Sequence, residues 1–253
     1  MSGHKRKFEV NDNPTDADSD ADIDTDSNPR AIKKPKLKKG SPTKKPPTVG
    51  EDPEPSEPQG HAGAGAQLIY SRDNHVYFYT DINTNTMLSL QKEVQTVVDN
   101  IVNKAKVIQD MKFTVKHPPL ILHINSPGGG IFAAFTFIDF MAHIKRKYPT
   151  IKFHSVVEGR AASAATLISV TADKRFITEY GYMLIHQLWS MSFGKYNEIK
   201  DDVSNLDRLM ERIKRIYLKH SKVPEDQLDE ILKHDIYWDA ETCKKYKLVD
   251  QIL

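Results

Sequence analysis

Two glycine-containing turns carry the residues of this sequence that could perform hydrolytic chemistry. The first, at residues 120–130, reads LILHINSPGGG, and the second, at residues 156–166, reads VVEGRAASAAT. In each, an apolar run with the length of a buried strand reaches glycine and passes into a run of helical length. Such a turn leaves the first N–H groups of the helix without intrahelical partners. A serine there can meet a histidine from a neighbouring strand while free N–H groups receive a developing oxyanion, as in serine hydrolases.

Three side chains are the candidates for this chemistry. Ser163 is the candidate nucleophile, and His186, in the run YMLIHQ, is the candidate base. Asp235 is a candidate to orient His186, although several other Asp residues would serve equally from the sequence alone. A serine in an Ala-rich helical turn and a histidine at a strand end are also common structural features. The order Ser, His, Asp excludes the α/β-hydrolases, whose triad runs Ser, acid, His.

Composition divides the chain into two parts. Nine of its 14 Pro residues lie before residue 60, in a region without Trp or Tyr where charged blocks alternate in sign. Residues 1–66 are therefore predicted to be a disordered tail, because so few apolar side chains cannot offset the entropy lost on folding. Residues 67–253 are predicted to form one globular domain with a sizeable core.

Several features bear on where the protein acts. A basic block in the tail, which begins at Lys33 and ends at Lys39, fits a nuclear localisation signal and a solvated charged segment equally well. The lone Cys243 fits a reducing compartment. No apolar run approaches the roughly 20 residues that span a bilayer, and no secretory signal is recognisable. We expect a soluble intracellular protein, cytoplasmic or nuclear. Its net charge of +2 gives no reason to expect specific nucleic-acid binding.

Hydrophobic periodicity from residue 68 onward alternates between strands and helices, which predicts an α/β fold with a mainly parallel sheet. The predicted strands are residues 68–70, 76–79, 120–124, 153–157, 175–177 and 182–185. The predicted helices include residues 87–109, 161–172, 196–220, 225–233 and 240–246, the last with Asp239 as N-cap. The helix after the first turn has a predicted buried face of Ile131, Phe135, Ile138 and Ala142, widened by Phe137, Met141 and Ile144. The stripe of the long helix is Ile199, Val203, Leu206, Leu209, Ile213 and Ile216.

Four co-linear motifs resemble the proteolytic subunit of the Clp protease family, in that family's order and spacing over about residues 68–253. They are NSPGG at 125–129, GRAASA at 159–164, MLIHQ at 183–187, and DIYWDA followed by YKLVDQI within 235–252. The resemblance implies a ClpP/crotonase-like fold, in which stacked βαβ units form a head. The long helix would project from that head as a handle between two rings.

The resemblance also assigns roles by position. It makes Ser163 the nucleophile, His186 the general base and Asp235 the acid that orients it, with the backbone N–H groups of Gly129 and Ala164 as the oxyanion hole. It implies a serine endopeptidase that cleaves unfolded or short polypeptides inside a homo-oligomeric chamber of stacked rings. Hydrolysis would need no metal and no cofactor in the subunit. ATP would enter only through an AAA+ unfoldase partner.

Two departures from the family pattern keep other functions open. Residues 188–193, LWSMSF, replace a Pro and a Gly-rich stretch, and we expect Trp189 to pack internally rather than to line a specificity pocket. The charged tail would serve as propeptide, gate or targeting arm. One alternative is a catalytically silent ring scaffold or regulatory subunit, and another is a maturation protease with one substrate. A crotonase-type acyl-CoA enzyme is disfavoured by the complete Ser, His and Asp set.

Three other residues or pairs have structural interpretations. Tyr237 and Trp238 are expected to pack beneath the triad. Cys243 is expected to be structural, since it lies mid-helix away from the motifs. His123 alternates with core residues along its strand and is expected to be a hydrogen-bonded core histidine.

Overall fold

A computed structural model describes residues 67–253 of the protein. The predicted tail, with its basic block, lies outside the described residues. The elements follow one another in the order β1 (Ile69–Arg72), β2 (His75–Phe78), α1 (Thr84–Asp110), β3 (Leu120–Ser126), α2 (Ile131–Lys147), β4 (Phe153–Ala162), α3 (Ala164–Val170), β5 (Lys174–Ile177), β6 (Tyr182–Leu184), α4 (Tyr196–His220), α5 (Glu225–Leu232), α6 (Ala240–Lys245) and β7 (Gln251–Ile252).

One seven-stranded sheet organises these elements. Its strand order is β1-β2-β3-β4-β5-β7, and β6 pairs with the C-terminal end of β4. Strands β1 and β2 form an antiparallel hairpin, and the pairings from β2 onward are parallel. The predicted α/β class with a mainly parallel sheet is therefore confirmed. Since the carboxyl ends of parallel strands share one edge, the turns that follow β3 and β4 lie side by side.

The core lies between the sheet and helices α1, α2 and α3. In β3, Leu120, Leu122 and Ile124 are buried against the helices, while His123 and Asn125 point to the opposite face. Helix α1 contributes a continuous stripe to the core and begins at an Asn83 capping box that the sequence pattern did not predict. Its buried residues are Met87, Leu90, Val94, Val97, Val98, Ile101 and Ala105. None of the helices within residues 67–253 is long and apolar enough to cross a membrane.

The second glycine turn differs from its prediction. The helix predicted from residue 161 begins at Ala164, and the strand predicted to stop at residue 157 continues to Ala162. The strand continues because residues 160–162 find a new partner, β6, after the pairing with β3 shifts register. The sequence pattern misses this extension since it depends on a strand that follows 20 residues later.

Two helix faces also differ in detail. The fully buried stripe of α2 is Ala134, Phe137, Met141 and Ile144, so the three residues predicted to widen the face are its centre. The four residues predicted as the main face lie half-buried beside it: Ile131, Phe135, Ile138 and Ala142. Apolar residues cover more than half of α2, so the pattern alone does not specify which side is central. Helix α4 has the predicted bounds, but full burial is confined to Ile213 and Tyr217 in its second half, which meets α3. Ile199 and Val203 near its start are exposed.

Candidate active site

Ser163 occupies the single position between strand β4 and helix α3. Its backbone has φ 55° and ψ −126°, a conformation that costs a non-glycine residue about 1–3 kcal/mol. Its N–H donates to the Leu184 carbonyl at 2.8 Å, and its carbonyl accepts from the Thr166 N–H at 3.0 Å. The fold therefore holds this serine in a strained turn, which is typical of functional sites.

The glycine turn after β3 packs directly against this serine. Gly128 and Gly129 have φ values of 92° and 142°. The Ile82 N–H donates to the Gly128 carbonyl and the Gly130 N–H donates to the Ile82 carbonyl, both at 2.7 Å. A Cβ at Gly128 would lie 2.4 Å from the Ala162 oxygen, and one at Gly129 would lie 2.2 Å from the Ile82 oxygen. Only glycine fits this passage between two backbones.

Two backbone N–H groups remain available where the turns meet. Within residues 67–253, neither the Gly129 N–H nor the Ala164 N–H donates to a protein acceptor. The two turns are in contact, because a Cβ built on Gly128 would lie 3.1 Å from the Ala164 nitrogen and 2.8 Å from the Ser163 Cβ. Free N–H groups beside a nucleophile are suited to stabilise a developing negative charge.

His186 and Asp235 are in direct contact. His186 Nδ1 lies 2.5 Å from Asp235 Oδ1. The carboxylate only accepts, so Nδ1 carries the proton and the neutral ring keeps Nε2 as a free base. His186 is partly buried, whereas the Asp235 side chain is 76% exposed. This contact fixes the tautomer that a general base requires.

Backbone hydrogen bonds at two places hold the segment that contains β6 and His186 to the segment that contains Asp235. Met183 and Trp238 exchange hydrogen bonds, from the Met183 N–H at 2.9 Å and from the Trp238 N–H at 2.7 Å. The Gln187 N–H donates to the Leu232 carbonyl at 2.7 Å. These ties bracket the His–Asp contact on both segments. They restrict its geometry although the carboxylate itself is exposed.

The structure brings these residues together incompletely. The Ser163 N–H bonds to Leu184, two residues before His186, so the serine and the histidine lie on adjoining segments. The hydrogen bonds among residues 67–253 include none between Ser163 Oγ and His186. The His–Asp pair and the two turns are formed, and the last contact of a triad is not. Catalytic hydrogen bonds often tighten only when substrate is bound.

Two expectations about aromatic residues around the site are wrong. Trp189 does not pack internally: its side chain is 81% exposed, in a segment without regular structure that also exposes Met191 and Phe193. Tyr237 is exposed rather than buried beneath the site. Trp238 is half-buried and packs on Tyr246, with ring centroids 4.8 Å apart. Hydrophobicity alone predicted burial, but residues 67–253 supply no cover for the segment after His186.

Two residues outside the site agree with their structural interpretations. Cys243 is buried, and burial raises the pKa of its thiol to about 12, which keeps it protonated. His123 is hydrogen-bonded as expected, with partners at both ring nitrogens, but it lies on the sheet face opposite the helices. Residues 67–253 contain no cluster of three or more His, Cys, Asp or Glu side chains arranged to hold a metal ion.

Sequence reasoning missed the residues that hold the turns in place. Ile82 anchors the first glycine turn entirely through its backbone, and Leu184 holds Ser163 in the same way. A backbone contact leaves no side-chain signal in the sequence. Asn125 packs against Gly159, where a Cβ would lie 3.2 Å from the Asn125 amide. Its place within the NSPGG motif was the one available sign of this role.

The fold and the site define an α/β protein with a strained serine between a strand and a helix, beside a glycine turn and a His–Asp pair. Comparison with known proteins agrees with this class. The family model described as Clp protease matches residues 71–253, so the chain belongs to the Clp protease family, a family of peptidases. A solved structure of a mutant of ClpP1 from Listeria monocytogenes matches with a TM-score of 0.57 and 22% identity, covering 71% of this chain and 91% of that one. This match confirms the predicted ClpP-like fold.

Proposed function

We propose that this protein is a serine endopeptidase whose triad is Ser163, His186 and Asp235. The 2.5 Å contact between His186 Nδ1 and Asp235 Oδ1 carries the proposal, because it leaves His186 Nε2 as a base on the segment adjoining Ser163. The strained backbone of Ser163 supports it, since it presents the side chain at the junction of two turns.

The chemistry follows from this geometry. As Ser163 Oγ attacks the scissile carbonyl carbon, His186 Nε2 takes its proton, and Asp235 stabilises the imidazolium that forms. The N–H groups of Gly129 and Ala164 donate to the oxyanion of the tetrahedral intermediate. His186 then gives the proton to the leaving amine, and water, activated by the same base, releases the acyl-enzyme. No step requires a metal or a cofactor.

Active-site labelling with a fluorophosphonate probe tests the proposal. The wild-type full chain should be labelled covalently and Ser163→Ala should not, with both proteins equally folded by circular dichroism. Ser204→Ala provides a matched control, because Ser204 is an exposed serine on α4 whose hydroxyl donates to the Lys200 carbonyl. Equal labelling of wild type and Ser163→Ala would contradict the assignment of the nucleophile.

We extend the proposal to a homo-oligomer of stacked rings that encloses the sites. A series of exposed large apolar side chains between residues 189 and 203 supports this assembly. It consists of Trp189, Met191, Phe193, Tyr196, Ile199 and Val203. Size-exclusion chromatography with light scattering should show a large oligomer that Trp189→Ser with Phe193→Ser dissociates. A wild-type monomer with full peptidase activity would contradict the extension.

Unfolded polypeptides and short peptides are the proposed substrates, with an AAA+ unfoldase as the proposed partner for folded ones. An enclosed chamber excludes folded proteins, so ATP would act only through that partner. Short fluorogenic peptides should therefore be cleaved without ATP, and a folded substrate should not. Cleavage of a folded protein by the isolated chain would contradict this division.

A catalytically silent ring scaffold is the second candidate, favoured by the missing hydrogen bond between Ser163 Oγ and His186. Residues 188–193, next to the histidine, lie without regular structure in the single chain, and most of their large side chains are exposed. A well-assembled oligomer that neither labels nor cleaves any peptide would support the scaffold. The same labelling experiment therefore distinguishes the two functions.

A further inference from the structure

A polar network lies on the sheet face opposite the helices, away from the Ser163 turn. His75 Nδ1 is 2.8 Å from His123 Nε2, and His123 Nδ1 is 2.7 Å from Glu158 Oε1. The Tyr79 hydroxyl donates to the other carboxylate oxygen, Glu158 Oε2. The four side chains come from β2, β3, β4 and the residue after β2. The network therefore ties three adjacent strands together through one carboxylate.

Glu158 fixes the direction of its hydrogen bond with His123. An ionised carboxylate only accepts, so His123 donates to it from Nδ1, and in the neutral form of that ring Nε2 accepts from His75. Burial, followed by the proximity of His123, lowers the pKa of His75 and favours its neutral form. Burial and the contact with Glu158 raise the pKa of Tyr79, so its hydroxyl stays a donor.

Aromatic stacking holds the central histidine in place. The Tyr77 ring stacks on the His123 ring with centroids 4.4 Å apart, and Tyr70 stacks on Tyr77 at 4.6 Å. The His123 side chain is only 12% exposed, compared with 31% for Glu158. His123 therefore presents a fixed donor to the carboxylate.

Glu158 lies at the irregularity that re-aims strand β4. Regular pairing with β3 ends at Ile124 and Val157 and resumes at Ser126 and Ala161. Strand β4 advances by four residues while β3 advances by two, so β4 holds two extra residues at this point. Bulges of this kind bend a strand and redirect its side chains, and they are frequent next to active sites.

The bulge sets the path of β4 just before Ser163. Immediately after it, Ala161 and Ala162 pair with β6, and Ala162 lies against Gly128. A slip of one residue in the bulge would turn these side chains to the opposite face of the sheet. Gly159, within the bulge, has φ +71° and leaves the backbone intrinsically free, so side-chain contacts must hold it.

We propose that Glu158 is a positioning residue of the peptidase site. Anchored by His123 and Tyr79, it fixes the β4 bulge and so directs Ser163 toward the glycine turn that carries the Gly129 N–H. This inference rests on the proposed function. It differs from a purely structural role because loss of the carboxylate should slow chemistry at Ser163 more than it weakens substrate binding. Displacement of a nucleophile by about 1 Å reduces turnover by roughly 100-fold.

The first test measures activity in the full chain. Glu158→Ala should lower the fluorophosphonate labelling rate and kcat by roughly 10- to 100-fold, with KM changed by less than about twofold. Glu158→Gln should restore most of the rate, because its carbonyl accepts from His123 and its amide donates to the Tyr79 oxygen. Glu179→Ala, an exposed glutamate after β5, is the matched control and should behave as wild type.

Hydrogen exchange gives a readout that does not depend on activity. Amides of residues 159–163 should exchange faster in Glu158→Ala, while those of β5 should keep the wild-type rate. If Glu158→Ala does not fold, Tyr79→Phe removes one of the two donors and should give a smaller change of the same kind. If the wild type is not labelled but Glu158→Ala exchanges faster at residues 159–163, the proposed function is contradicted, while the contact that holds the bulge is supported. Unchanged exchange at residues 159–163, or unchanged labelling with faster exchange, would overturn the positioning role.

Discussion

The two glycine turns look alike in sequence but are built on different physical principles. The turn at Gly128 and Gly129 is enclosed by backbone, with Ile82 on one side and Ala162 on the other. Gly159 lies in an exposed bulge, and the three atoms nearest to a Cβ built there all belong to the side-chain amide of Asn125. Backbone atoms cannot move aside, whereas a side chain can. The first turn is therefore rigid by construction, and the second takes its shape from the side chains around it.

This difference matches the tasks proposed for the two turns. The first turn supplies the Gly129 N–H to the proposed oxyanion hole, and such a donor should be fixed, because its advantage lies in a dipole that does not reorganise during reaction. A nucleophile needs a defined direction, and in our proposal the bulge and the strained backbone of Ser163 provide it. The comparison predicts that substitutions at the two turns differ in size and in kind.

Asp235→Asn should have the largest effect on activity, because the proposed triad works only while His186 keeps the correct tautomer. We expect kcat to fall by about 10⁴-fold. Asp235 is exposed and its sole side-chain hydrogen bond within residues 67–253 is to His186, so the melting temperature should change little. Steady-state peptide hydrolysis beside thermal unfolding measures both. Asp226→Asn, on the exposed start of α5, is a control that should leave kcat unchanged. Full activity of Asp235→Asn would show that the His–Asp contact is structural.

Gly129→Ala tests the rigid turn and should have the second largest effect. The new Cβ would lie 2.2 Å from the Ile82 oxygen at φ 142°, so the turn must move. Displacement of one oxyanion donor should lower kcat by about 10²- to 10³-fold, and the backbone strain should cost about 1–3 kcal/mol. Gly130→Ala is a close control, since its Cβ would have ordinary contacts at 3.6 Å and 3.8 Å. Equal rates for the two variants would contradict the oxyanion assignment.

The sequence predicted the first of these turns well and the second only in part. At Gly128 the strand, the glycines and the helix follow one another directly, so local pattern is sufficient. At Gly159 the strand continues because β6 supplies a partner for residues 160–162. The local hydrophobicity of a strand does not show that a partner strand lies later in the chain. The helix was therefore predicted three residues too early.

The sequence predicted the side chains of the candidate site but not the backbone contacts that hold them in place. Ser163, His186 and Asp235 were named from motifs, and the structure brings His186 and Asp235 into contact. The anchoring contributions of Ile82 and Leu184 are carried by backbone atoms, which any residue type provides. For the segment after His186, the side chain itself is mispredicted. Its hydrophobicity predicted that Trp189 would be buried, but Trp189 is exposed.

Gly159→Ala should have a smaller effect than Gly129→Ala, because the new Cβ meets the movable Asn125 amide at 3.2 Å rather than backbone. The left-handed φ of +71° should cost roughly 1 kcal/mol, and we expect kcat to fall by about tenfold as Ser163 is displaced slightly. Chemical denaturation and peptide hydrolysis measure the two effects. Gly159→Asn should cost less than Gly159→Ala, since Asn tolerates the left-handed region. A loss equal to that of Gly129→Ala would remove the distinction between the turns.

Asp250→Asn should affect stability alone, because it lies away from both turns. The Arg175 guanidinium donates to Asp250 Oδ1 at 2.7 Å and to Oδ2 at 3.1 Å, which ties the start of β5 to the residue before β7. Burial opposes ionisation of this carboxyl, but the hydrogen bonds from Arg175 outweigh it and hold the pKa of Asp250 below its usual value.

A lowered folded-state pKa means that Asp250 stabilises the fold fully above the unfolded pKa. That contribution is lost as the pH falls from about 4 through the folded pKa. With solvent screening of a partly exposed pair, Asp250→Asn should cost roughly 1 kcal/mol at neutral pH and nothing once wild type is protonated. Urea unfolding of both proteins at neutral pH and in acid below the folded pKa measures the difference, with labelling of Ser163 unchanged at neutral pH. A labelling defect as large as that of Gly159→Ala would mean that the far edge of the sheet also aims Ser163, and the bulge would lose its special role.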